Sequence, residues 1–372
     1  MTPLSGIGKG LTLDKAHATI LTDRQTDRQT DRIEWIDSVK GLAILLVMWG
    51  HVIKDVNPVF NWICTFHVPV FLVLSGLLFA HRNKKISSFK YTVIKILWPY
   101  LIFSICATFT DALLTYIDSN SFYYSCKMVL LDAYKTVILY GIHALWYLGS
   151  YIIAVWVYLK LKDFPLKVRA SFEVGFIIAG ISYSNVSQMY KMPTAVSLLL
   201  VSLLRALVCS VFLFVGFDFY RILKKENQKI QPIFVSFAFL LISLLLAEFN
   251  GESNFSVIDY GGNSLLCLTA SFCGAIGLCL LFRGRKVPGL NYLGRNSLIL
   301  LITHSSLKIT VISQWLVGRW LDNEKSWLYG IACLVIMMVI EMPIIVLLNG
   351  KLNFLIRKPK SLKLQRRAIP EK

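Results

Sequence analysis

Apolar residues run for roughly a bilayer's width again and again along this chain, and short polar segments separate the runs. Ten such stretches fall near 36–54, 59–80, 93–116, 144–161, 170–186, 195–220, 231–248, 262–282, 291–316 and 327–349. Each comes close to the roughly 20 apolar residues that cross a hydrocarbon core as a helix. The pattern predicts an all-α integral membrane protein with about ten transmembrane helices. The fifth stretch is the shortest and carries Glu173 near its start. Between the third and fourth, the segment 117–143 contains KMVLLDAYKTVILYG, which is apolar but interrupted by Asp132 and Lys135. That mixture predicts an interfacial or re-entrant piece.

The ends of the chain read differently. Residues 1–31 are polar, and Thr22 to Arg32 spell the low-complexity repeat TDRQTDRQTDR. There is no apolar h-region, so this is not a signal peptide, and a disordered extension is expected. A membrane domain over 32–350 and a basic tail over 351–372 complete the expected organisation.

Charge then orients the spans. Lys and Arg crowd every second loop: Arg82, Lys84, Lys85 and Lys90; Lys160, Lys162, Lys167 and Arg169; Arg221, Lys224, Lys225 and Lys229; Arg283, Arg285 and Lys286; and the tail from Lys351 to Arg367. The opposite loops are poorer in Lys and Arg and partly acidic, with Glu248, Glu252 and Asp259. The positive-inside rule therefore predicts cytoplasmic N and C termini in a multi-pass protein of the cell's inner membrane.

Composition changes this picture little. Of 372 residues, 56% are hydrophobic, above the 45–50% or so of soluble domains. The net charge of +18 raises nucleic-acid binding as a possibility. The loop alternation accounts for the charge without it, so no nucleic-acid partner is expected. The eight cysteines contain no CxxC pair and lie mostly within apolar runs. They read as small core residues, with no metal site implied.

The candidate chemistry starts in the first span, WIDSVKGLAILLVMWGH over 35–51. Eleven helical steps of about 100° leave Lys40 and His51 about 20° apart around the axis and about 16 Å apart along it. Asp37 lies one turn before Lys40. One helix thus carries a cation near one membrane surface and an imidazole near the other, facing the same way. Such groups are costly in lipid and normally face a protein interior or a wet cavity. The predicted topology puts His67 and His143 in the same outer layer as His51, and His304 near mid-depth. Lys95, Arg295 and Ser297 fall in the inner layer. A histidine is the usual base for activating a hydroxyl, and inner cations suit the phosphates of an anionic donor. The bland alternatives are packing histidines and headgroup-anchoring cations; for Arg82 to Lys90 the anchoring role is preferred.

These residues resemble the acyltransferase-3 family, integral-membrane enzymes that O-acylate sugars. The opening signature of that family is a basic residue, ten intervening residues and a histidine, here Lys40 and His51. FHVPVFLVLSGLLF resembles its second-span pattern, with His67, Pro69, Phe71, Ser75 and Gly76. KILWPY resembles its approach to the third span, at Lys95, Pro99 and Tyr100. ALWYLGSYI resembles its Leu-Trp-Phe-Leu element, at Leu145, Trp146 and Leu148. YLGRNSLILLITH resembles its late Gly-x-Asn-Ser…His element, at Gly294, Asn296, Ser297 and His304. The matches run in the family's order over residues 33–350. Many members have Arg where Lys40 stands, and Lys cannot grip a phosphate bidentately.

The resemblance implies a stand-alone sugar O-acetyltransferase without a bound cofactor. Acetyl-CoA or another acyl-CoA would be the donor, held by Lys40, Lys95, Arg295, Asn296 and Ser297. His51 would act as general base or acyl carrier, with Asp37 and Lys40 orienting one another. The acceptor would be a cell-surface glycan or its lipid-linked precursor, with His67, Ser75, His143, Trp146 and His304 on the acceptor side or in support. Membrane lipids are the other expected partner. Two rivals stand beside it. Buried charges such as Arg205 and Glu341 also fit a transporter or flippase, although no inverted pair of Gly/Pro-interrupted spans is present. A non-catalytic component of a polysaccharide-synthesis complex is the other, and His51 argues against it. Arg205 and Glu341 are expected to pair with each other or with other buried polar groups.

Overall fold

In a computed structural model of the chain, each of the ten apolar stretches contains helix among its described residues. The structure describes residues 33–53, 57–82, 87–189, 194–225, 233–321, 323–324 and 326–357. The extension over 1–31, the loop lysines Lys84, Lys85 and Lys229, and the tail beyond residue 357 lie outside the described residues.

The helices are α1 (Glu34–Gly50), α2 (Pro58–Phe66), α3 (Pro69–Arg82), α4 (Ser87–Ser119), α5 (Phe122–Val137), α6 (Trp146–Leu161), α7 (Leu166–Met189), α8 (Thr194–Lys225), α9 (Ile233–Asn250), α10 (Ser264–Phe282), α11 (Pro288–Arg295), α12 (Ser297–Ser306), α13 (Ile309–Val317), α14 (Trp327–Asn349) and α15 (Asn353–Ile356). No strand occurs among the described residues; one isolated bridge joins Asn254 and Asp259.

Among the described residues, seven helical runs are long and apolar enough to cross a membrane, and α12 with α13 makes an eighth if that pair, bent by 67°, is one span. The expected ten crossings are not all reached on these grounds. The helix α1 has only 17 residues and opens with Glu34 and Asp37. The helix α7 carries Lys167, Arg169 and Glu173 in its first turns and is diluted by serines, Asn185 and Gln188 at its end. The segment expected at the interface forms the 16-residue α5, packed on α4, with Phe122, Tyr123 and Tyr124 exposed. Aromatic side chains of this kind sit at headgroup depth.

The outward surface is apolar. On α14 the exposed positions Leu328, Ile331, Val335, Val339, Met342 and Val346 recur every three or four residues, so they form one stripe. A soluble monomer rarely exposes so continuous an apolar face; lipid covers it here.

Two buried clusters share α1 as a common wall. Ile36, Val39 and Ala43 pack with α3, α6, α8 and α10, while Ile44, Val47 and Met48 pack with α4, α12 and α14. Because lipid tails are as apolar as leucine, burial alone does not drive these helices together; close backbone approach does. Glycines supply it in reciprocal pairs. A Cβ on Gly76 would overlap the Leu213 carbonyl, and one on Gly216 the Val73 carbonyl, joining α3 to α8. Gly41 and Gly294 do the same for α1 and α11.

The basic-loop alternation fixes an expected labelling result. A cysteine at Val257, which is exposed in the 251–263 loop, should react with a membrane-impermeant maleimide from outside the cell. A cysteine at the exposed Lys286 should react only after permeabilisation. The reverse pattern would overturn the orientation.

Candidate active site

Three breaks in the helices place the histidines. His51 follows the last residue of α1 and caps it. His67 sits in the gap between α2 and α3, where Pro69 ends the hydrogen-bond ladder because it has no N–H and its ring clashes with the carbonyl one turn back. His304 lies in the last turn of α12, just before Lys308 takes a left-handed backbone (φ 57°) and turns the chain into α13.

His51 and His67 line one cavity of about 220 Å³ together with Cys64, Trp146, Tyr147 and the loop residues Glu252 to Ser256. The His51 side chain is exposed to this chamber, and its ring centroid lies 5.2 Å from that of His304. His67 Nδ1 is 2.6 Å from the Ile63 carbonyl, and His304 Nδ1 is 2.7 Å from the Leu300 carbonyl. A carbonyl oxygen only accepts, so in both rings the proton is on Nδ1 and the Nε2 lone pair is left free. His304 is fully buried, and its Nε2 has no hydrogen-bond partner. The chamber therefore gathers imidazoles, a carboxylate and hydroxyls around a space open to a ligand.

His143 stands at the edge of a neighbouring cavity. Its Nε2 is 2.7 Å from Asp111 Oδ2 and 2.9 Å from Lys308 Nζ, and Lys308 also donates to Asp111. The three side chains form a compact polar cluster joining α4, the turn before α6, and α13. Trp146, at the start of α6, forms a wall of both cavities.

Behind Trp146 lies Arg205, only 1% exposed. Its guanidinium stacks 4.9 Å from the Trp146 ring and 5.0 Å from the Tyr140 ring. It donates to Ser150 Oγ at 2.7 Å, to the Tyr140 carbonyl at 2.7 Å and to the Ser256 carbonyl. One buried cation thus holds together the two loops that frame the chamber. Glu341 does not meet it: its carboxyl oxygens lie 2.9 and 2.8 Å from Thr303 Oγ1, beside His304. Both buried charges therefore have other buried polar partners rather than each other. Ser75, on α3, donates to the Phe71 carbonyl at 2.8 Å.

The remaining expected residues collect at the other end of α1. Asp37 is buried, and its Oδ2 is 3.9 Å from Arg295 Nε. Glu34 reaches Lys286 at 2.6 Å and Arg295 at 3.9 Å. Ser38 donates to Asn291 and accepts from the Val287 N–H at 3.1 Å, which binds α11 to α1. Lys40 is half-buried one turn on from Asp37, and Lys95 is exposed on α4. Asn296 donates to the Tyr292 carbonyl and accepts from Asn349, and Ser297 starts α12 beside it.

Sequence reasoning did not single out Asp111, Lys308, Tyr147 or the 252–256 loop as site residues. Asp111 and Lys308 carried a signal, since each is a charge at the end of an apolar run; their meeting across 197 residues of chain carried none.

A family model described as an acyltransferase domain matches residues 33–346. No curated protein and no solved structure matches the chain.

Proposed function

Because the chain belongs to the acyltransferase-3 family, whose model covers nearly all of it, we propose that it moves an acyl group, acetyl first among the candidates, from acyl-CoA to a hydroxyl of a cell-surface glycan or its lipid-linked precursor. The observation that carries this reading is the convergence of His51, His67 and Trp146 on one polar chamber, with His304 in ring contact with His51.

In this reading the donor docks its nucleotide at the cytoplasmic end of α1, where Lys40, Lys95 and Arg295 meet its phosphates as charge-assisted partners. Asn296 and Ser297 hydrogen-bond along its path, and Asp37 orients the cations. The thioester reaches the chamber at the far end of the helix, about 16 Å along it. His51 takes the proton of the sugar hydroxyl as the sugar oxygen attacks the thioester carbonyl carbon. The carbon–sulfur bond breaks, and the proton passes to the departing CoA thiolate. No charge is left on the enzyme, so His51 is ready for the next turnover.

The test uses full-length protein in phospholipid nanodiscs with acetyl-CoA or succinyl-CoA and the glycan from a deletion strain. Thiol release should depend on the glycan, and the glycan should gain the mass of the acyl group. Lys40→Ala should raise KM for acyl-CoA about tenfold with little change in kcat, the loss of one charge-assisted contact of about 1.5 kcal/mol. Lys40→Arg should behave as wild type. Thiol release that ignores the glycan, with no mass gained, would overturn the proposal.

A further inference from the structure

Beside the His51 chamber lies a second cavity of about 380 Å³, and the two share Trp146 and Ser256 as a partition. We propose that this second cavity is an acceptor subsite that binds one neutral sugar ring of the glycan, adjoining the ring whose hydroxyl is acylated. The proposal rests on the acyl-transfer reading for the word acceptor, but its evidence is separate.

Asp132 carries it. This side chain lines the cavity and is 1% exposed. One carboxylate oxygen accepts from Lys135 Nζ at 3.1 Å, while Oδ2 is buried with no partner in the protein. A buried acceptor left without a donor is costly, and a ligand hydroxyl at that oxygen removes the cost. The rest of the lining selects the ligand. Asp111, Asp118 and Asp132 line it with Lys135 and Arg205, and Lys308 pairs with Asp111 at its edge, so the two signs are balanced. Neither an anion nor a cation gains from such a wall, whereas a ring of hydroxyls can both donate and accept around it. Trp146 adds an aromatic surface, and the volume lies within the range of small-molecule sites. The cavity also sits where a glycan would arrive: it lies at the end of α4 and on α5, whose exposed Phe122, Tyr123 and Tyr124 mark headgroup depth.

The experiment is saturation-transfer NMR of a panel of methyl hexopyranosides with the full-length protein in phospholipid nanodiscs. At least one member should bind. Asp132→Asn should weaken that binding at least tenfold. Met128→Trp, which narrows the cavity with a bulky ring and leaves the Asp132 carboxylate in place, should do the same. Phe60→Leu, in the His51 chamber on the other side of the partition, should bind the sugar as tightly as wild type. A hexose linked to a prenyl phosphate that binds more tightly than its methyl glycoside assigns the ring to a lipid-linked precursor; equal affinity assigns it to the finished glycan. Binding unchanged in both Asp132→Asn and Met128→Trp, or no binding by any sugar of the panel, overturns the subsite. The same samples are assayed for thiol release from acetyl-CoA. Glycan-dependent release by a protein whose sugar binding ignores both variants removes the subsite alone; sugar binding without any acyl transfer removes the acceptor role and the function it rests on.

Discussion

His51→Gln should lower acyl transfer by about 10²- to 10⁴-fold, the span that a positioned general base contributes. Glutamine keeps the length and the hydrogen bonding of the imidazole but cannot accept a proton at neutral pH. His51→Ala should be equally inactive. Neither change should unfold the protein, because the His51 side chain is exposed to the chamber and fills no core space. The melting temperature in detergent and the affinity for acyl-CoA should therefore stay at wild-type values while the rate falls. The wild-type rate should rise with pH, since the base works only as neutral imidazole and protonation removes it; the variants should lose that rise. A His51→Gln protein that acylates near the wild-type rate, at matched protein level, would remove His51 as the base.

Gly216→Leu should prevent α3 and α8 from assembling. Its new Cβ would meet the backbone of Val73, and backbone cannot rotate out of the way as a side-chain tip can. The cost should exceed the roughly 1–3 kcal/mol of ordinary overpacking, and little monodisperse protein should survive extraction and size-exclusion chromatography. Gly175 is the control. A Cβ there meets nothing within 4 Å, so Gly175→Ala should melt at or slightly above wild type, as expected for alanine in a helix. Equal melting temperatures for Gly216→Leu and wild type would show that the close approach of the two helices is dispensable.

Some of the site was legible without any coordinates. The 3.6-residue period places Lys40 and His51 on one face of α1, whereas the break before Pro69 at which His67 sits falls inside a stretch read as continuous. Trp146 and His304 stood out through their motifs, and the structure brings both to the His51 chamber or its wall. The exact membrane crossings were less legible: α1 is short and α7 is polar, so an alternation of loop charges counts spans that length and apolarity do not both support.

The sequence by itself determined what is local in the chain. Apolar runs of bilayer length made the helices, because an unpaired backbone has no place in lipid. The ordered motifs pointed to the family. The tertiary structure alone decided which distant groups meet. Glycine pairs set how closely α3 approaches α8 and α1 approaches α11, and the packing as a whole brings the 252–256 loop over His51, Lys308 to Asp111, and the Ser256 and Tyr140 carbonyls to Arg205. It also decided that Glu341 lies against Thr303 and not against Arg205. Periodicity fixes only the direction a side chain takes from its own helix. Its partner depends on the packing of other helices, and a buried charge holds whichever polar groups that packing brings within reach.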